Sequence, residues 1–178
     1  MIRFIKTALC RFRDREDGSM VVPFALWTPL FIGLVLSTIE LGTVTLRQTV
    51  LERALDQSVR GIKLATGSTY DHALLKSKIC ARAGTLPDCE NTLQLEMLRL
   101  DPRDWTEPPH DANCVDTAQP VTPQRAFEFG QEHDLMLLRA CYKYRPISPA
   151  GYLSSDLATD AEGYTALVST AVYVSEPL

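Results

Sequence analysis

Residues 20–39 form an uncharged, mostly apolar run that directly follows a short charged leader. Twenty residues in a helix rise about 30 Å, which is the thickness of the hydrocarbon core of a bilayer. The sequence therefore predicts one membrane-spanning helix. The charges and Gly18 precede the run, and its outer end, Ser37 to Glu40, lacks the small-residue cleavage site of a secretory signal peptide. A cleaved signal peptide that leaves a soluble exported domain is the less favoured alternative.

The distribution of Lys and Arg predicts the orientation of this span, because short cytoplasmic segments carry an excess of these residues. The leader contains five of them, whereas residues 40–59 contain only Arg47 and Arg53. The N-terminus is therefore expected in the cytoplasm. The chain divides into a cytoplasmic basic leader (residues 1–18), a transmembrane helix (residues 19–40) and an extracytoplasmic domain (residues 41–178).

The charge of the outer domain bears on its partners. Beyond the leader and the span, the chain carries 13 basic and 19 acidic residues. An acidic domain repels the phosphate backbone, so nucleic acid is not an expected partner.

The spacing of apolar residues predicts an α+β fold. Apolar residues recur every three or four positions after Leu41, with charged residues between them, so one helix is expected from near Val21 to about Ala65. Pro29 should bend it. A short second helix follows, with Leu74 and Ile79 on its apolar side. Three strands are then expected, over about residues 92–100, which should be half-buried, 135–145 and 164–174. Their small antiparallel sheet would pack on the outer half of the long helix.

Four cysteines fall on the outer, oxidising side of the predicted membrane: Cys80, Cys89, Cys114 and Cys141. An even number in such a compartment indicates disulfides, and four cysteines allow three pairings. Pairing Cys80 with Cys89 would close a tight loop, and pairing Cys114 with Cys141 would tie a long loop to a central strand. A zinc site that also uses His72, His110 or His133 is disfavoured, because no C-x-x-C spacing is present.

No residue pattern indicates catalysis. His110-Asp111 and His133-Asp134 are adjacent pairs rather than spaced constellations, and Ser148 and Ser154 lack the G-x-S-x-G context of a nucleophile. The chain is therefore expected to be no enzyme, to need no cofactor or metal, and to have no small-molecule substrate.

The N-terminal residues carry a family resemblance. A basic leader ending Glu16-Asp17-Gly18-Ser19, followed by Val22-Pro23-Phe24 and by Pro29, resembles the TadE-like minor pilins, or pseudopilins, of the bacterial tight-adherence (Tad/Flp, type IVb) pilus. The specific part of the resemblance covers about 25 residues; the rest agrees in layout.

The resemblance implies processing by a prepilin peptidase that cuts on the cytoplasmic side after the leader glycine, here between Gly18 and Ser19. It also implies a single-pass protein of the bacterial inner membrane with a periplasmic C-terminal domain. Its partners would be the membrane, the peptidase, other pilus subunits and inner-membrane assembly proteins, in a system that serves cell adhesion. The other reading of Gly18-Ser19 is a helix start with Ser19 as N-cap.

The chain departs from the family pattern at Pro23. Family members usually carry Glu at the fifth position after the cut, followed by an aromatic residue; this chain has Phe24 but no acid before it. Glu40 lies too far along the span to substitute. The departure favours a minor, initiating or accessory subunit over a major one. The alternative function is an unprocessed, signal-anchored periplasmic interaction or sensory domain.

Overall fold

The computed structural model has an α+β fold in which one long helix packs on a three-stranded antiparallel sheet, as the sequence predicts. Two short helices and an irregular loop complete the described part of the chain. The structure describes residues 6, 11–13, 20–64, 70–116, 127–146 and 157–176.

The long helix α1 spans Val21–Leu64, within one residue of the predicted end. Its outer half buries the predicted apolar stripe, in which Leu51 and Leu55 are completely buried and Ala54 and Val59 nearly so. These side chains recur at three- and four-residue spacing and therefore lie on one face of the helix. That face forms one side of the hydrophobic core.

The sheet has the order β1-β2-β3, with β1 at Leu93–Leu100, β2 at Leu135–Tyr144 and β3 at Thr165–Val174. Both neighbouring pairs are antiparallel: Leu100 lies opposite Leu135, and Tyr144 lies opposite Thr165. The central strand β2 is buried over most of its length, whereas β3 alternates between buried and exposed residues. The alternation follows from one face of β3 packing towards α1 while the other faces solvent.

The expectation of a half-buried first strand is wrong. The first five residues of β1 are all buried, so both of its faces are covered near its start. The second face is covered by the segment that follows β1, residues 101–116, which we call the outer loop. Asn113 of this loop donates its backbone N–H to Glu96 of β1 (3.3 Å). A loop held over a sheet face buries residues that alternation alone assigns to solvent.

Two short helices lie between α1 and the sheet in sequence. Helix α2 spans His72–Arg82 and buries Leu75, Ile79 and Cys80. Leu74, expected on the apolar side, is instead 45% exposed. Helix α3 is a single turn at Cys89–Thr92 that the sequence did not reveal, and it is entered through Asp88 in the left-handed region (φ 53°). The predicted end of the long helix at Gly67-Ser68 lies outside the described residues.

Candidate functional site

The N-terminal half of α1 exposes apolar side chains in every direction. Phe24, Trp27 and Phe31 are 66–71% exposed, and Val22 and Leu26 on other sides of the helix are equally open. Among the described residues, α1 is the one helix that is long and apolar enough to cross a membrane, with a mean hydropathy of 1.8 in its most apolar window. An all-round apolar surface of this kind is stable only in lipid or against other helices.

The residues that carry the family resemblance lie at the start of this half. Val22 and Pro23 occupy the first turn, where a proline costs no helical hydrogen bond. Pro29 lies inside the helix, which continues through it. The preceding residue, Thr28, donates its hydroxyl to the carbonyl oxygen of Phe24 (2.6 Å). The bend expected at Pro29 stays a prediction, and Gly18 and Ser19 lie outside the described residues.

The exposed half of α1 changes into the packed half at Glu40, which is completely buried. The sequence analysis placed Glu40 at the outer end of the span and did not predict its burial. A signal was present, because Glu40 precedes Val44, Leu51 and Leu55 by 4, 11 and 15 positions and so shares their helical face. The polar side chain therefore starts the same stripe that enters the core.

An arginine and a tyrosine meet just beyond Glu40. The guanidinium carbon of Arg47 lies 4.4 Å from the ring centroid of Tyr144, the last residue of β2. Burial raises the pKa of Tyr144, while the positive charge of Arg47 opposes that shift and the negative charge of Glu40 adds to it. The contact joins α1 to the central strand at the end of the sheet nearest the apolar half.

Two disulfides fix the remainder of the domain. Cys80 of α2 is bonded to Cys89 of α3 (Cα–Cα 5.6 Å), and Cys114 of the outer loop is bonded to Cys141 of β2 (Cα–Cα 5.1 Å). This is one of the three connectivities that the sequence allows. With their sulfur atoms in disulfides, these cysteines offer no thiolate to a metal.

A buried ion pair lies beneath the outer loop. Arg139 of β2 donates from Nε (3.0 Å) and Nη2 (2.6 Å) to one carboxylate oxygen of Glu96, and their side chains are only 9% and 1% exposed. A third donor, Nη1, bonds the carbonyl oxygen of Pro109 in the outer loop (2.6 Å). The pair thus links two strands and the loop. The sequence gave no direct sign of it beyond an acid and a base in neighbouring strands.

The histidines do not form a shared site. The ring of His72 packs edge-on against Phe127 (centroids 5.2 Å apart), and burial, reinforced by the charge of Lys76, lowers its pKa. His133 occupies a left-handed position (φ 68°) between the Phe127 segment and β2, and His110 lies in the outer loop. Within the described ranges, no group of three or more His, Cys, Asp or Glu side chains could hold a metal ion.

The serines considered as nucleophiles, Ser148 and Ser154, lie outside the described residues. The two His-Asp pairs remain apart, one in the outer loop and the other directly before β2. The geometry that stands out is therefore an exposed apolar stem continuous with a disulfide-pinned sheet.

Comparison with known proteins agrees with the sequence resemblance. Residues 18–60 match the family model described as TadE-like protein. No curated protein and no solved structure matches the chain. The matched segment starts at the predicted cleavage glycine and covers most of α1. The match confirms the resemblance: over residues 18–60, this chain is a member of the TadE-like protein family.

Proposed function

We propose that this chain is a minor pilin, or pseudopilin, that takes part in assembly of a tight-adherence pilus. The family match associates the chain with that pilus system. The role is structural and non-catalytic. It fits a bitopic protein of the bacterial inner membrane with its N-terminus in the cytoplasm and its sheet domain in the periplasm.

The observation that carries the proposal is the continuity of α1. One helix of 44 residues has an apolar half exposed on every side and an outer half buried against the sheet. A pilin-like subunit needs this arrangement, because the apolar half must pass from the bilayer into contact with neighbouring subunit helices while rigidly carrying its domain. A flexible linker between span and domain would serve a simple anchor equally well.

The proposal includes cleavage by a prepilin peptidase between Gly18 and Ser19. Glycine has no Cβ and so allows an extended backbone in a protease site. Mass spectrometry of the protein purified from membranes of pilus-producing cells should find Ser19 at the N-terminus. Gly18→Leu should preserve the N-terminus at Met1. Gly42→Leu is the matched control, because a Cβ added at Gly42 meets nothing within 4 Å. A wild-type protein that retains Met1 in these cells would contradict the proposal.

The second candidate is an unprocessed, signal-anchored periplasmic interaction or sensory domain. The specific observation in its favour is Pro23, which occupies the position of the usual family Glu. The two candidates differ in their dependence on the pilus machinery. When the genes for the other pilus components are deleted, a pseudopilin should be mislocalised or degraded, whereas an independent domain should keep its level and location on immunoblots of membrane fractions.

A further inference from the structure

Strand β3 lies at one edge of the sheet, and its outward edge has no strand partner within the part of the chain that the structure describes. The carbonyl oxygen of Val168 accepts a hydrogen bond from Nε2 of Gln48 on α1 (3.2 Å), so it points away from β2. Backbone directions alternate along a strand, so the N–H and C=O groups of Thr170, Val172 and Val174 face the same open edge.

The composition of β3 leaves this edge unprotected. None of its ten residues is charged or proline, and Val168, Val172 and Val174 are 41–55% exposed on the face turned away from α1. Proteins usually protect a long edge strand with Lys, Pro, a bulge or a covering segment. The other edge of this sheet has such a cover, because Glu128 donates its backbone N–H to the carbonyl oxygen of Met97 in β1 (3.1 Å).

A groove runs beside the open edge on the side of α1. It has a volume of about 470 Å³ and lies between Ser169–Val172 and the outer half of α1. Its apolar floor includes Leu55 and Val59, and its rim carries the exposed ion pair of Asp56 and Arg60 (3.0 Å). A strand added to β3 would place alternate side chains in this groove and the others beside the valines.

A second copy of this chain is a poor occupant. Gln48 bonds Val168, and later residues of α1 up to Lys63 line the groove with Ser169–Val172, so α1 and β3 advance in the same general direction. Antiparallel pairing of two β3 strands would reverse the second α1 as well. The two apolar halves would then point in opposite directions and could not enter one membrane from the same side.

We propose that the β3 edge binds an extended segment of a different protein, whose apolar residues alternate, by addition of a fourth strand. The exclusion of a second copy rests on the proposed function, because it requires the apolar half of α1 to be anchored in a bilayer. The strand-binding property itself does not require the proposed function.

The first test uses the full chain in detergent micelles and, as the probe, a peptide copying Thr165–Val174 with two lysines added at each end. A free peptide has no membrane span and can pair in either direction. Hydrogen exchange at the amides of Thr170 and Val172 is expected to slow by about tenfold or more when the peptide is added. The amides of Ser169 and Ala171, which face β2, should not change.

The matched variants place a lysine at an exposed apolar position. Val172→Lys puts a charge at the β3 edge and should abolish the peptide-dependent protection, whereas Leu74→Lys on α2 should retain it. Unchanged exchange at Ser169 and Ala171 shows that the sheet of each variant is folded. Absence of protection in the wild-type chain, or equal protection in both variants, would overturn the proposal even if cleavage after Gly18 is found.

The second test identifies the occupant in cells that contain the complete pilus system. A photo-crosslinking amino acid at Thr170 should join the chain to a different polypeptide, and Val172→Lys but not Leu74→Lys should remove that product. A product of twice the chain mass of 19.9 kDa would overturn the choice of a different protein. Absence of any product would overturn the proposal of a bound strand.

Discussion

At the scale of single residues, the most costly arrangement in the domain is the buried pair of Glu96 and Arg139. Removing charges from water is unfavourable, and their attraction repays it only when the remaining hydrogen-bonding groups are also satisfied. Here Asn113 and Pro109 of the outer loop supply the additional partners. The pair therefore specifies where the loop lies, because a displaced loop would leave buried charges short of partners.

Arg139→Met should lower the free energy of unfolding by about 3–5 kcal/mol, because it leaves the Glu96 carboxylate buried without its cation. Arg99→Met is the control. Arg99 lies 3.5 Å from Asp134 but is 55% exposed, and such a pair contributes at most about 1 kcal/mol. Urea unfolding of the full chain in micelles measures both values. Equal losses in the two variants would show that the buried pair does not hold the loop.

Two neighbouring tyrosines of β2 provide a second comparison. Tyr142 donates its hydroxyl to the carbonyl oxygen of Pro87 (2.8 Å), whereas the hydroxyl oxygen of Tyr144 is buried with no hydrogen-bond partner. Tyr142→Phe should therefore cost about 0.5–1.5 kcal/mol, and Tyr144→Phe should be neutral or slightly stabilising. Urea midpoints of the two variants decide this. A larger loss in Tyr144→Phe would mean that its hydroxyl is bonded in the real protein.

Residues of this kind also mark the limit of what could be predicted from the sequence. Alternation in residues 92–100 predicted strand β1 but assigned Glu96 to solvent, because alternation reports the two faces of a strand and not what covers them. The cover is the outer loop, which is held by long-range contacts with Arg139 and Cys141. No local pattern in the loop encodes those contacts.

At the scale of elements, prediction succeeded where one pattern persisted. Helix α1 keeps a helical spacing of apolar residues over its outer half, and β3 is rich in β-branched residues, so both were predicted within about a residue of their bounds. Helix α3 has only four residues and begins after Asp88 in a left-handed conformation. It is too short to show a period, and its position is set by the disulfide of Cys89 with Cys80.

The two disulfides should differ in their contribution to stability. They close loops with sequence separations of 9 and 27 residues, for which restriction of the unfolded chain predicts about 3 and about 4 kcal/mol. The double variant Cys114→Ala, Cys141→Ala should therefore unfold at lower urea than Cys80→Ala, Cys89→Ala. The reverse order would show that the outer loop contributes little to the folded domain.

The pairing itself can be read directly, because trypsin separates all four cysteines. Cleavage after Lys or Arg leaves Cys80, Cys89, Cys114 and Cys141 in four different peptides. Non-reducing peptide mapping of the exported protein should find the first two linked together and the last two linked together. Four free thiols would contradict both the pairing and the periplasmic location of the domain.

At the scale of the whole molecule, α1 belongs to two structures at once. Its first half is exposed and apolar, and its second half supplies one side of the core. Because the two halves form one helix, the direction in which the apolar half presents Phe24 and Trp27 is fixed relative to the sheet. A pilus subunit depends on that fixed phase, since neighbouring helices must meet it with the same geometry at every contact.

Insertions after Gly42 test whether this phase matters. Each helical residue adds about 100° and about 1.5 Å, so two alanines rotate the apolar half by about 200°, whereas seven rotate it by nearly two full turns and raise the domain by about 10 Å. Both variants should keep the urea midpoint of the domain, because the buried stripe begins later. Pilus number, counted by electron microscopy, should fall far more with two alanines than with seven. Equal effects would mean that α1 acts as a tether rather than as a rigid stem, which would favour the signal-anchored domain.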